Sequence, residues 1–175
     1  GSVPTTDGTH LNAAGNILMA PPLRAAFLSL TVDADRPDYS KWSNDTDWNG
    51  KDSSPGADPN EDGVTNLMAY ALAIPPLAHA SSESLPSGNL DPSTPDGPWL
   101  TLTYRQNVTA IDLQYIVEST SDLSTWSLIQ PDGINAISET ISNDVDGDGK
   151  AKLVRVRVKQ MPGEETQFLR LRIRY

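Results

Sequence analysis

From residue 99 onward, apolar and polar side chains alternate with a period of two. Leu100, Leu102 and Tyr104 alternate with Thr101, Thr103 and Arg105, and Leu113, Tyr115 and Val117 repeat the pattern. Shorter apolar stretches lie at 126–129 and 136–141. Val154, Val156 and Val158 alternate with Arg155, Arg157 and Lys159, and Leu169, Leu171 and Ile173 with Arg170, Arg172 and Arg174. Alternation turns successive side chains to opposite faces of a strand, so each strand has one apolar face to bury. Six such segments, separated by turns and by no helical crossover, predict two antiparallel sheets packed together.

Upstream the pattern changes. Residues 3–32 carry an apolar run through Phe27, Leu28 and Leu30 that predicts a helix, kinked at Pro21-Pro22, where an amide donor is missing and the ring clashes with the preceding turn. Residues 33–80 hold a loop rich in Asp, Asn, Ser and Trp. A helix is expected from about Asp62 to Ala73, with Leu67, Tyr70, Ala71 and Ile74 at helical spacing and Pro75-Pro76 as its stop. Residues 81–98 have linker composition, and 99–175 form the sandwich. The fold class expected is mainly β with a small helical part.

Charge narrows the function classes. Of 175 residues 23 are acidic and 13 basic, a formal net charge of −10, which excludes a nucleic-acid binder of the usual cationic kind and disfavours an anionic membrane surface. No apolar stretch approaches the roughly 18 residues of a membrane-spanning helix. The chain has no cysteine, so no disulfide staples it. Gly1-Ser2 reads as a cloning remnant, and the natural amino terminus is expected elsewhere.

Oxygen-bearing side chains concentrate in two segments. Calcium loops place side-chain oxygens at positions 1, 3 and 5, a glycine at 6, a backbone carbonyl at 7 and further ligands at 9 and 12. Asp58, Asn60, Asp62, Gly63, Val64 and Asn66 fit the positions up to 9, and Ala69 stands where the final carboxylate is expected. Asp45, Asp47 and Asp52 are near enough in sequence to complete a shell. The plainer alternative has Asp62 capping the helix that follows. The second segment repeats the alternation at Asp144, Asp146 and Asp148, with Gly149 at the turn. Asp-Gly pairs also build ordinary hairpin turns, and Lys150 and Lys152 weaken the case for a cation. A third cluster is aromatic. Tyr39, Trp42 and Trp48 lie among Asn44, Asp45, Asp47, Asn49 and Asp52, the composition of a sugar-stacking platform and equally of a packed aromatic core.

Two resemblances add to this. Thr6-Asp7-Gly8-Thr9-His10-Leu11-Asn12 resembles the last block of the SGNH (GDSL-type) hydrolases, in which an Asp-x-x-His pair supplies two members of a serine triad. The resemblance implies that Asp7 orients His10 and that His10 is the base. The nucleophile and oxyanion-hole blocks of that family have no counterpart here, so the pair would be stranded and the chain is expected not to be an enzyme. Residues 36–175 resemble carboxyl-terminal modules of large secreted proteins from Verrucomicrobia- and Planctomycetes-type bacteria. The likeness rests on Ala57-Asp58-Pro59-Asn60-Glu61-Asp62-Gly63, on Asn66-Leu67-Met68-Ala69-Tyr70-Ala71-Leu72 and on Val117-Glu118-Ser119-Thr120-Ser121-Asp122-Leu123-Ser124-Thr125-Trp126. It implies a dockerin-like calcium motif followed by a fibronectin III or immunoglobulin-like sandwich.

The expectation is therefore a secreted or cell-surface accessory module of an SGNH-type carbohydrate esterase, with calcium as cofactor and the catalytic domain of the same parent chain as partner. Polysaccharide is the candidate ligand. The competing reading is a structural spacer that binds no glycan.

Overall fold

The computed structural model describes residues 38–92, 94–95, 97–160 and 166–175. Residues 3–32, with the expected helix and the Asp7–His10 pair, lie outside them. Pro37–Tyr175 forms one compact unit.

Two short helices open it, α1 (Tyr39–Asp45) and α2 (Asn66–Leu72), and a single 3-10 turn (Ser82–Ser84) leads to the strands. These are β1 (Ser87–Asp91), β2 (Trp99–Asn107), β3 (Gln114–Thr120), β4 (Ser127–Leu128), β5 (Ala136–Ser142), β6 (Ala151–Lys159) and β7 (Phe168–Arg174). One sheet has the order β1-β2-β6-β5 and the other β4-β3-β7, every pairing antiparallel. The predicted architecture, a mainly antiparallel sandwich-like β fold with a small helical part, is what the chain adopts.

The alternation read from the sequence sets the inner faces. Leu102 and Tyr104 of β2, Val117 of β3 and Val154, Val156 and Val158 of β6 form the main core, with Leu169 and Leu171 of β7 packed against it. On the other face of the first sheet, Arg155 and Arg157 of β6 straddle Glu139 of β5 at 3.6 and 3.3 Å. A second core joins the helical region to the strands: Ala69, Leu72 and Ile74 pack with Val64, Met68, Ala80, Leu85 and the same Leu171.

Three elements differ from expectation. Part of the stretch read as a linker is β1, paired with β2 from Ser87↔Thr103 to Asp91↔Trp99. Its side chains are mostly exposed, so backbone pairing, which leaves no hydrophobic signature, holds it in place. The segment read as loop before Trp48 contains α1, capped by Asp38 through a 2.8 Å bond from the Lys41 amide. The helix expected from Asp62 begins at Asn66, because Glu61 and Gly63 have positive φ and the residues before Thr65 form a turn instead.

Candidate functional site

The loop at 58–66 is organised around two carboxylates. Asp58 Oδ1 accepts from the Asp62 amide at 3.2 Å and Oδ2 from the Gly63 amide at 2.8 Å. Asp62 Oδ1 accepts from the Val64 amide at 2.8 Å, and Oδ2 from the Ala80 amide at 2.8 Å and from Asn60 Nδ2 at 3.1 Å. Burial works against ionisation of Asp62, but the bonds from Ala80, Val64 and Asn60 and the charge of His79 outweigh it and hold its carboxyl below the usual range. Thr65 then caps α2 by accepting from the Met68 amide.

Two amide oxygens in this loop have no partner. Asn66 is fully buried, its Nδ2 donating to the carbonyls of Asp52 and Ser54 at 3.0 and 2.9 Å, which fixes its orientation and leaves Oδ1 unpaired. Asn60 Nδ2 donates to Ala78 O at 2.9 Å as well as to Asp62, and its Oδ1 is likewise buried and unpaired. Unpaired buried acceptors are uncommon, since leaving one costs about 1–3 kcal/mol. Asn60 and Asn66 are residues that the calcium pattern singled out, and an oxygen without a donor is what a cation would use. The set Asp58, Asn60, Asp62, Val64 O and Asn66 therefore fits a hard divalent cation in chemistry. Among the described residues no three His, Cys, Asp or Glu side chains converge as metal ligands. A cation here would accordingly depend on amide and carbonyl oxygens beside the two carboxylates.

The second acidic loop is arranged differently. Asp146 is bound through both oxygens by Arg105, with Nη1 to Oδ1 at 3.0 Å and Nη2 on Oδ2. Asp148 accepts from the Lys150 amide at 2.9 Å, the main cause of its lowered carboxyl pKa, and lies 3.5 Å from that residue's ammonium. Asp144 accepts from the Gly147 amide. Each of the three carboxylates already faces a donor belonging to the protein, and Asp146 serves as the counterion of a buried arginine.

Arg105 belongs to a constellation that the sequence pattern did not reveal. At the end of α2 the Ala73 amide still donates to Tyr70 O at 3.2 Å, and the carbonyls from Ala71 to Ala73 lie past the last amides of the helix. Asn107 Nδ2 donates to Tyr70 O at 2.9 Å and the Tyr115 hydroxyl to Ala71 O at 2.6 Å. Arg105 Nε donates to Leu72 O at 2.9 Å and its Nη2 to Ala73 O at 3.2 Å. The guanidinium thus lies at the negative end of the helix dipole. At the other side Asp112, in the β2–β3 loop, accepts from the Tyr39 amide at 2.7 Å and the Tyr70 hydroxyl at 2.9 Å, joining both helices to the strands. The only sequence hint was a set of polar residues near strand ends. Their partners are backbone carbonyls, which carry no sequence signal.

The aromatic candidates are packed together. Tyr39 touches Trp42, Tyr70 and Tyr175 at centroid separations of 5.3, 5.6 and 5.6 Å, and Trp42 meets Trp48 edge-on at 5.6 Å. Tyr39 is 4% exposed and donates its hydroxyl to Ser53 O, so it offers no face to a ligand. Burial, with the charges of Tyr175 and Asp52, pushes its phenol up to about 12. Trp42 and Trp48 are half-buried, and the Trp48 indole donates to Ser43 O at 2.7 Å. Trp99 is buried, and Trp126 is half-buried beneath the Arg170 guanidinium, 3.9 Å from its ring centroid.

No protein-family model matches the chain, and no curated protein or solved structure matches it. The functional reading therefore rests on the geometry above.

Proposed function

We propose that this chain is the non-catalytic accessory part of a secreted SGNH-type carbohydrate esterase, and that calcium braces its helical half against a fibronectin III/immunoglobulin-like sandwich. The order β1-β2-β6-β5 supports the finer fold reading when β4 is taken as an added strand after the third, since the sheet then follows the immunoglobulin order A-B-E-D. The other sheet, β4-β3-β7, lacks a counterpart of the last strand among the described residues. One observation carries the calcium reading: the fully buried Asn66 keeps an amide oxygen without a donor in a loop that already presents Asp58 and Asp62. Asp58, Asn60, Asp62, the Val64 carbonyl and Asn66 would hold the ion, whose charge would offset the two carboxylates. The esterase parentage rests on the resemblance at Asp7 and His10 alone.

Between a glycan-binding and a purely structural role, the geometry favours the structural one. Tyr39 is interior, and Trp42 is packed against Tyr70 and meets Trp48 edge-on. Affinity gels containing xylan or pectin test this directly: the expected result is unretarded migration, and retardation relieved by Trp42→Ala would restore the polysaccharide reading.

The decisive experiment is a melt with and without metal. A ligand held only by the native state at a hundredfold excess over its Kd contributes about 2.7 kcal/mol, which raises Tm by roughly 5–10 °C in a domain of this size. Chelator should reverse the rise, and Asp58→Asn should abolish it. An unchanged Tm in millimolar calcium would remove the metal from the proposal. The non-catalytic reading has a separate check in p-nitrophenyl acetate, where no turnover above a His10→Ala control is expected.

A further inference from the structure

β7 forms the margin of its sheet. It pairs with β3 on one side, and among the described residues nothing pairs with it on the other. Register and bonding together show which groups face that open side. The Ile129 amide donates to Val117 O at 2.9 Å, so Val117 directs its backbone polar groups toward β4. Successive residues of a strand point their backbone groups to opposite edges, so Ile116 and Glu118 face β7. Their partners Arg172 and Arg170 carry the bonds to β3. Leu169, Leu171 and Ile173 consequently present their N–H and C=O groups to the open edge.

The space beside that edge is shaped and apolar. A cleft of about 450 Å³ lies between β7 and the β1–β2 pair, lined by Met68, Leu100, Leu102, Phe168 and Leu171 among others. A second cleft of about 220 Å³ extends it past Leu90 and Gln167. Leu90 and Phe168 are large apolar residues left 51% and 40% exposed here. Gln167, which lines both clefts, has its Oε1 buried without a hydrogen-bond partner. On the outer face of β7 stand Arg170, Arg172 and Arg174, a cationic row on a chain of net charge −10. Glu118 engages Arg170 and Arg172 at 2.8 and 2.6 Å, one carboxylate shared between two guanidinium groups.

The geometry points to β7 as a docking edge for an extended partner segment in which apolar residues alternate with Asp or Glu. Such a segment adds its backbone to the ladder at Leu169, Leu171 and Ile173. Its inward side chains fill the cleft, and its outward carboxylates lie about 5 Å from the arginine row, where opposite charges stabilise cross-strand pairs. A second copy of the chain is the weaker occupant. Antiparallel self-pairing about Leu171 would set Arg170 against Arg172 of the other copy, and like charges directly opposite destabilise. An edge of this kind is ordinarily protected by charge or by covering, and here the row of one sign selects the occupant instead of refusing all.

The test uses the full chain with two soluble eight-residue probes, one alternating Glu with Val and one alternating Lys with Val, read by residue-resolved amide hydrogen exchange. The Glu probe is expected to slow exchange at Leu169, Leu171 and Ile173 and to leave Arg170 and Arg172, already bonded to β3, unchanged. The Lys probe should slow none of them. Arg174→Glu should weaken the Glu probe about tenfold, the scale of one to two reversed charge pairs, while the thermal melt stays in place. Equal binding of both probes, or no protection at the three amides at millimolar probe, would overturn the proposal. So would protection that appears without any probe and grows with protein concentration, which would assign the edge to a second copy.

Discussion

The two acidic loops share a sequence pattern and differ in what answers their charge. At 144–148 the aspartates meet donors from the protein itself, above all Arg105 on Asp146. At 58–66 the carboxylates accept from backbone amides of the loop and of Ala80, and two asparagine oxygens remain without donors. The first arrangement is electrostatically closed. The second is shaped but incomplete. Alternating aspartates therefore describe a loop that can gather positive charge, and only the surrounding fold decides whether a guanidinium or a cation supplies it.

The largest way to break this comparison is to remove the internal cation. Arg105→Met strips two carbonyls of α2 of their donors and leaves Asp146 alone, and breaking a buried pair costs about 3–5 kcal/mol. Urea denaturation should show a loss of that order, reduced by the exposure of Asp146; a loss below about 1 kcal/mol would show that the second loop is not held this way. Next in size is Asn66→Ala, expected to lose about 2 kcal/mol because the Asp52 and Ser54 carbonyls forfeit their donor. The same variant should no longer melt higher in calcium, whereas Asp144→Asn should keep the full calcium response. A matching response in both would merge the two loops into one class.

Acid affects both regions alike. The carboxyls of Asp62, Glu118, Asp122, Asp132 and Asp148 all lie below their ordinary values: Glu118 through bonds from Arg172 and Arg170, Asp122 through the Thr125 and Ser124 amides, Asp132 through those of Ala136, Ile134 and Asn135. Groups with depressed folded pKa values bind fewer protons when folded, so their stabilisation is present above the unfolded values, about 4, and is lost as pH falls through the folded ones. Tm should be level above about pH 5 and drop below about pH 4, with Asp132→Asn making the drop shallower. The smallest effect has the opposite sign. Ala73 closes α2 at φ 52°, ψ 48°, a left-handed conformation that glycine adopts without strain. Ala73→Gly should stabilise the protein by up to about 1 kcal/mol, visible as a small rise in urea midpoint.

Most of the strand architecture was legible from Leu100 to Ile173 because β2, β3, β6 and β7 each turn apolar side chains into the core, and burial writes itself into the sequence as alternation. β1 buries almost nothing, and α1 has only seven residues, of which Tyr39 and Trp42 pack inward, too few for a periodic trace. The first acidic loop was legible as a candidate pattern because Asp58, Asn60, Asp62 and Asn66 are oxygen-bearing side chains at fixed spacing. The grip of Arg105, Asn107 and Tyr115 on α2 was not, since Arg105 occupies the same kind of polar strand position as Arg155, and nothing local says that one faces Glu139 and the other a helix end. Tyr39 illustrates the reverse difficulty: its acidic surroundings in sequence suggest a wet surface, while in space it sits against Tyr70.

The handover of four consecutive helix carbonyls to side chains of β2 and β3 also sets where this molecule can be cut. A fragment trimmed to its strands would carry an arginine, an asparagine and a tyrosine shaped for a helix that had gone, and a fragment ending after Ile74 would have a frayed, unanswered terminus. The smallest portable piece therefore starts ahead of Tyr39, and anyone grafting the sandwich onto another protein must carry its helical collar along with it.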